Sequence, residues 1–301
     1  MKAKRRIQAG LMAFACGDAA GVPWETERPD RIEAAEIHRL PCRHDWPRGA
    51  VSDDTVFLLS TARVLASGNA TAHALLKQLA ADLPDARGAG RTSRAAIERF
   101  LASGQLQAEI GATNGAAMRA LPIGWAIAAE HVEPRVRLGI ELARATHGEA
   151  SAIAAAVAVA AMGSWSIEGE PLEQIVAHAL DEARTALDVL GAPIVLLSSV
   201  EQAAQGQWQP PEEGVPFLGI ETVAAVVTVL REACSTEECI IQAGDTDTCA
   251  AIAGGVFATA TGDDAISWRD SVPLLADPML TFLAASLTRR RWRSETLSER
   301  K

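Results

Sequence analysis

Two acidic, hydroxyl-bearing clusters stand far apart in the chain: Ser52-Asp53-Asp54-Thr55 and Gly244-Asp245-Thr246-Asp247-Thr248. Together they offer four carboxylates and several hydroxyls, all oxygen donors. Hard cations such as Mg²⁺ take oxygen ligands and often bridge protein carboxylates to a phosphorylated or polyol substrate. Each cluster also opens an apolar run that reads as a helix, and a Ser or Asp at a helix start satisfies free N–H groups and the dipole. One cap needs only one such side chain. The same surplus at two helix starts points to metal ligation. If folding brings the clusters together, the chemistry is metal-assisted hydrolysis with two cations.

Three further segments carry polar groups in turn-like settings. Gly17-Asp18-Ala19-Ala20-Gly21-Val22-Pro23-Trp24-Glu25 reads as a fixed loop that presents Glu25. Thr113-Asn114-Gly115-Ala116-Ala117-Met118-Arg119 is a small-residue turn entering a helix, either a phosphate cradle of backbone N–H groups or an ordinary turn. Thr146-His147-Gly148-Glu149 opens an Ala-rich helix, where a lone His is more often a cap neighbour or a surface residue than a catalyst.

The elements that must position these residues are helices. Apolar residues recur at helical spacing, or as Ala-rich runs, over 7–15, 55–66, 72–83, 93–101, 116–128, 134–145, 149–162, 172–190, 194–204, 219–231, 248–260 and 278–287. Alternating β-branched runs are rare, so the expected fold class is all-α. Gly, Pro and acidic residues mark loops at 27–49, 84–92, 168–171, 205–216 and 262–273, none of which reads as an interdomain linker. The expectation is one compact domain over 1–301, with 290–301 as a tail and its arginine run solvated or frayed. With no Tyr and only 4% aromatics, the core must come from Ala, Leu, Val and Ile in closely packed helices.

A net charge of -10 argues against general nucleic-acid binding, which needs a basic surface. Five cysteines with no Cys-x-x-Cys pair support neither a zinc site nor a disulfide framework, and imply free thiols in a reducing compartment, the cytoplasm. The basic start followed by apolar residues to Cys16 imitates a signal peptide, but Gln8 and Gly10 interrupt it. The most apolar stretch, 150–162, is too short to span a bilayer. No membrane attachment is expected, and a monomer is the default.

Taken in order, Gly17-Asp18…Pro23-Trp24-Glu25, Ser52-Asp53-Asp54-Thr55, Asn114-Gly115-Ala116-Ala117-Met118-Arg119, Thr146-His147 and Gly244-Asp245-Thr246-Asp247-Thr248 resemble the motifs of the ADP-ribosylglycohydrolase family. That family includes enzymes that remove ADP-ribose from arginine, among them the dinitrogenase reductase activating glycohydrolases. The resemblance implies a helical fold with a two-magnesium centre in a central cleft, Mn²⁺ being a substitute. It makes Ser52, Asp53, Asp54, Asp245, Asp247 and Thr248 the metal ligands. Glu25 is implied in ligation or catalysis beside the catalytic carboxylates Asp53, Asp54 and Asp247. Asn114, Gly115 and His147 match segments that line the ADP-ribose site. Most relatives have Thr where Ser52 stands, and the hydroxyl is retained. Any aromatic stacking on adenine must use Trp or Phe.

The implied reaction is hydrolysis of the C1″ glycosidic bond of an ADP-ribosyl group on a protein or small molecule, arginine-linked first, with ADP-ribose as product. Serine, nucleobase and small-molecule linkages are alternatives. A catalytically silent, ADP-ribose-binding or structural relative is the rival reading, and a well-capped helical scaffold needing no ligand is another.

Overall fold

Helix formation follows the apolar spacing along nearly the whole chain. A computed structural model describes the protein except for residues 1, 26, 28–30, 44, 244–245 and 299–301, with the backbone alone over 292–298. The α-helices among the described residues are α1 (Lys2–Gly21), α2 (Ala34–Ile37), α3 (Asp53–Ser67), α4 (Ala72–Asp82), α5 (Arg91–Ser103), α6 (Leu121–Ala126), α7 (Val132–Arg144), α8 (Ala150–Glu168), α9 (Leu172–Leu190), α10 (Ser198–Ala204), α11 (Gly219–Glu232), α12 (Thr236–Gln242), α13 (Asp247–Thr261) and α14 (Met279–Ser298). Short 3₁₀ turns join several of them, among them Asn114–Ala116. An isolated antiparallel bridge, Thr113 to Leu218, is the one strand-like pairing among the described residues. The all-α expectation holds, in a single helical domain.

The first helix departs from the sequence reading in a way that builds the site. Gly17–Gly21 is not a loop: α1 continues through it. Its glycines mark where α13 lies against it. A Cβ added at Gly17 would stand 2.4 Å from the Ala250 carbonyl oxygen, and one at Gly21 only 2.3 Å from Asp247 Cα. Glycine costs helix propensity of about 1 kcal/mol. Close backbone approach and burial offset it, and tertiary packing overrides the local signal. Gly21 meets Asp247 while Gly10 meets Thr259, so the two helices run antiparallel.

Helix α8 is the central element. It packs on α6, α7, α9, α11 and α13, and the side chains from Ala152 to Ser164 are buried throughout. Its 19 residues are long and apolar enough to cross a membrane by length and composition alone, yet 83% of its apolar window is buried within the fold. Buried Ala residues along α1, α8 and α13 form the inner core. Small side chains let helices approach closely and keep interior packing dense.

The C-terminal arginine run also differs from expectation. Helix α14 continues to Ser298, and Arg291 is 2% exposed rather than in a solvated tail. Its guanidinium donates to the carbonyls of Ile127 (2.6 Å) and Gly124 (3.2 Å) at the C-terminus of α6, and pairs with Glu168. A cation with several donors suits the unsatisfied carbonyls of a helix end. The run expected as one helix over 116–128 is broken into the 3₁₀ turn and α6, with Pro122 in the first turn of α6.

Candidate active site

Asp18 ties the first acidic cluster to α1. Its fully buried carboxylate accepts the backbone N–H groups of Ser52 and Thr55, each at 3.0 Å, and the Thr55 hydroxyl at 2.5 Å. Ser52 is the N-cap of α3, accepting the Asp54 N–H at 3.1 Å. The Asp53 N–H donates to the Arg87 carbonyl, which fastens the loop before α5 to the same place. The cap, the Asp18 carboxylate and the Arg87 carbonyl together satisfy the free N–H groups of this helix start. The side chains of Asp53 and Asp54 are left over.

The second cluster starts α13. Thr246 is its N-cap and accepts the Cys249 N–H at 3.0 Å, while Asp247 Oδ1 accepts the Thr248 N–H at 2.9 Å. Because Gly21 rests on the Asp247 backbone, α1 carries both clusters. It holds one through Asp18 and seats the other against its last turn. The surplus carboxylates therefore meet.

The electrostatics record that meeting. Asp53 is pushed up to about 7, first by burial and then by the charges of Asp18 and Glu25. Asp54 is raised well above the usual carboxylate range by burial, then by Asp247 and Asp53, with the Thr248 hydroxyl opposing. Asp247 is raised likewise, by burial and then by Glu25, Asp18 and Asp53. Asp54 Oδ2 is buried with no hydrogen-bond partner. Buried like charges and an orphaned carboxylate oxygen are what a divalent cation would relieve. The oxygen-only donor set suits a hard cation. As they stand, no three His, Cys, Asp or Glu side chains among the described residues form a ready metal-binding group. The expected ligand Asp245 lies outside the described residues. Ser52 is spent partly on its cap, though a hydroxyl oxygen has a second lone pair.

These groups open into a cavity of about 360 Å³. Its wall combines Glu25, Asp53, Asp54, Asp247 and Thr248 with Thr113, Asn114, Gly115 and the first turn of α5, Gly90 to Ser93. Larger cavities of about 490 and 560 Å³ lie elsewhere, without such a carboxylate cluster, so chemistry rather than size selects the site. Glu25 follows the 3₁₀ turn Val22–Trp24 and pairs with Arg43, whose guanidinium stands 5.4 Å from the Trp46 ring centroid. Phe217 lines the cavity, 46% exposed, and its carbonyl accepts the Asn114 N–H at 3.0 Å.

The sequence profile of the ADP-ribosylglycohydrolase family matches residues 1–295. The chain belongs to the ADP-ribosylglycohydrolase family. Membership makes it a glycosidic-bond hydrolase, and the family acts on ADP-ribosylated substrates, giving ADP-ribose. A curated relative, the uncharacterized protein YegU of Escherichia coli strain K12, is 28% identical over 298 residues, covering 87% of this chain and 89% of the relative. A solved structure described as an ADP-ribosylglycohydrolase-related protein complex shares the fold. Its TM-score is 0.79 at 24% identity, over 96% of this chain and 98% of the other.

Of the residues expected at the site, Glu25, Asp53, Asp54, Asn114, Gly115, Asp247 and Thr248 share this cavity. His147 sits behind it, fully buried, with Nε2 at 2.9 Å from the Thr113 hydroxyl and Nδ1 at 2.8 Å from Thr146. A Cβ on Gly115 would lie 2.9 Å from the imidazole Cε1, so His147 supports that turn from beneath. Sequence reasoning missed Asp18 as the bracket and the first turn of α5 as part of the wall. The N-cap of α5, Gly90, has no side chain to cap the helix, and its N–H meets the Asp53 carboxylate. The uncapped Gly90-Arg91-Thr92-Ser93 run was the available signal.

Proposed function

We propose that the protein hydrolyses the C1″ glycosidic bond of ADP-ribosyl groups, with ADP-ribosyl-arginine on protein as the first substrate and Mg²⁺ as the cofactor. The observation that carries this is one cavity joining the surplus carboxylates to a donor-rich turn. Asp53, Asp54, Asp247, Thr248 and Ser52, with Asp245, would hold two cations. When bound, such cations orient the ribose hydroxyls and lower the pKa of a water. The diphosphate is assigned to backbone N–H groups around Gly115 and the uncapped start of α5, beside Arg91. That arrangement takes an anion despite the chain's net charge of -10. Phe217, exposed on the wall, offers a face for adenine, as the absence of Tyr requires.

Glu25, on the same wall, would ligate a cation, accept a proton from the attacking water, or do both at different steps. Arginine is taken as the first linkage because the motifs resemble the arginine-directed branch of the family. The linkage is tested by incubating the protein with arginine-, serine- and nucleobase-linked ADP-ribosyl substrates and identifying products. Fastest release from arginine supports the reading. Release from serine or nucleobase alone would move the assignment to that linkage.

A further inference from the structure

Four buried or half-buried groups form a hydrogen-bonded line behind the cavity: Arg119, Thr146, His147 and Thr113. Arg119 Nη2 lies 2.6 Å from Thr146 Oγ1 and 3.1 Å from the Leu142 carbonyl. Thr146 Oγ1 lies 2.8 Å from His147 Nδ1, and His147 Nε2 lies 2.9 Å from Thr113 Oγ1. Thr113 in turn lines the cavity.

The line has one consistent polarity. A guanidinium has donors and no acceptor, so Thr146 must accept from Arg119. The Thr146 hydroxyl proton then goes to His147 Nδ1, its remaining hydrogen-bonded neighbour. A lone pair is needed at Nδ1, which leaves the imidazole proton on Nε2. That N–H donates to Thr113 Oγ1. The Thr113 hydroxyl proton is thereby kept off the imidazole and left for another acceptor, and Thr113 lines the cavity. A doubly protonated imidazole would not fit this line, and burial together with the Arg119 charge pushes His147 down to about 3. Neutral His147 is thus a fixed donor, not a switch.

We infer that Thr113 is a hydrogen-bond donor to the bound diphosphate, set in that direction by Arg119 through Thr146 and His147. His147 then acts as a positioning residue that never touches the ligand. The assignment rests on the reading that the cavity holds ADP-ribose. Its distinguishing feature is that Thr146, buried and remote from the wall, controls ligand affinity through a tautomer.

The test pairs ADP-ribose titration calorimetry with ¹⁵N NMR of labelled histidines, the His147 signal being identified by its loss in H147N. Wild type should show neutral His147 protonated on Nε2. T113V should weaken ADP-ribose roughly tenfold, the worth of a hydrogen bond to a charged group, and T113S should restore it. T146V should weaken ADP-ribose in the same direction while the Nε2-protonated signal gives way to the other tautomer. Protonation on Nδ1 in the wild type would overturn the relay, whatever binds. Equal ADP-ribose affinity of T113V and wild type would overturn the ligand contact. Failure of the wild type to bind ADP-ribose would overturn the reading of the cavity, while the tautomer would still decide the relay.

Discussion

The Asp18 carboxylate accepts the Ser52 N–H at 3.0 Å, so the first helix brackets the start of α3 and with it the Asp53–Asp54 pair. Removing that bracket leaves the Ser52 and Thr55 N–H groups buried without it. Asp18→Ala should therefore cost roughly 3 kcal/mol, the scale of a few orphaned buried donors. Chemical denaturation measures this. Full stability in the variant would mean the bracket is dispensable.

Gly21 makes the other half of the junction. A methyl group there would stand 2.3 Å from Asp247 Cα and 2.6 Å from its backbone nitrogen, neither of which can swing aside. Gly21→Ala should force α1 from α13 at the site itself, costing about 1–3 kcal/mol as overpacking does. Turnover should fall with it, even at temperatures where circular dichroism shows a folded helical protein. A variant as stable and active as wild type would contradict the packing described.

Metal removal should reveal the carboxylates through pH. Burial first, then Asp18 and Glu25, push Asp53 up to about 7, and burial first raises Asp54 and Asp247 well above the usual carboxylate range. Unfolded aspartates titrate near 4, roughly. A folded-state value above the unfolded one stabilises the fold while the group is protonated. For Asp53 that stabilisation is complete below about 4 and is lost as pH rises through about 7. In EDTA, the melting temperature should drop between pH 5 and 8, and Mg²⁺ should recover it most at pH 8. A melting temperature in EDTA that rises over this range would count against a crowded carboxylate site.

Asp53→Ala and Asp247→Ala should abolish turnover and weaken Mg²⁺ binding while the helical spectrum is kept. These residues come from different helices, so equal effects would mark a shared centre. Isothermal titration with Mg²⁺ and a turnover assay give both readouts. Normal turnover in either variant would remove that residue from the centre.

Much of this was legible in the sequence, for identifiable reasons. The periodic helices gave the all-α class, and Leu172–Leu190 falls where the pattern places it. The clusters at 52–55 and 246–248 start helices as expected, because Ser52 and Thr246 are ordinary N-caps. Helix α12 was missed although Ser235, accepting the Glu238 N–H at 3.1 Å, is a capping signal in plain view. Gly17 and Gly21 misled because a glycine that admits a neighbouring backbone looks, in one dimension, like a helix breaker. Arg291 misled because an arginine run gives no hint of which member meets the α6 carbonyls. His147 could be matched to a segment, but only three dimensions show that it lies behind Thr113 and Gly115.

The most direct test of the account is release of free ADP-ribose from an ADP-ribosyl-arginine protein substrate, with Mg²⁺ and again with EDTA. The account predicts steady release with Mg²⁺ and none above background in EDTA. Equal release under both conditions would contradict the metal centre, and no release with Mg²⁺ would contradict the arginine-directed reaction.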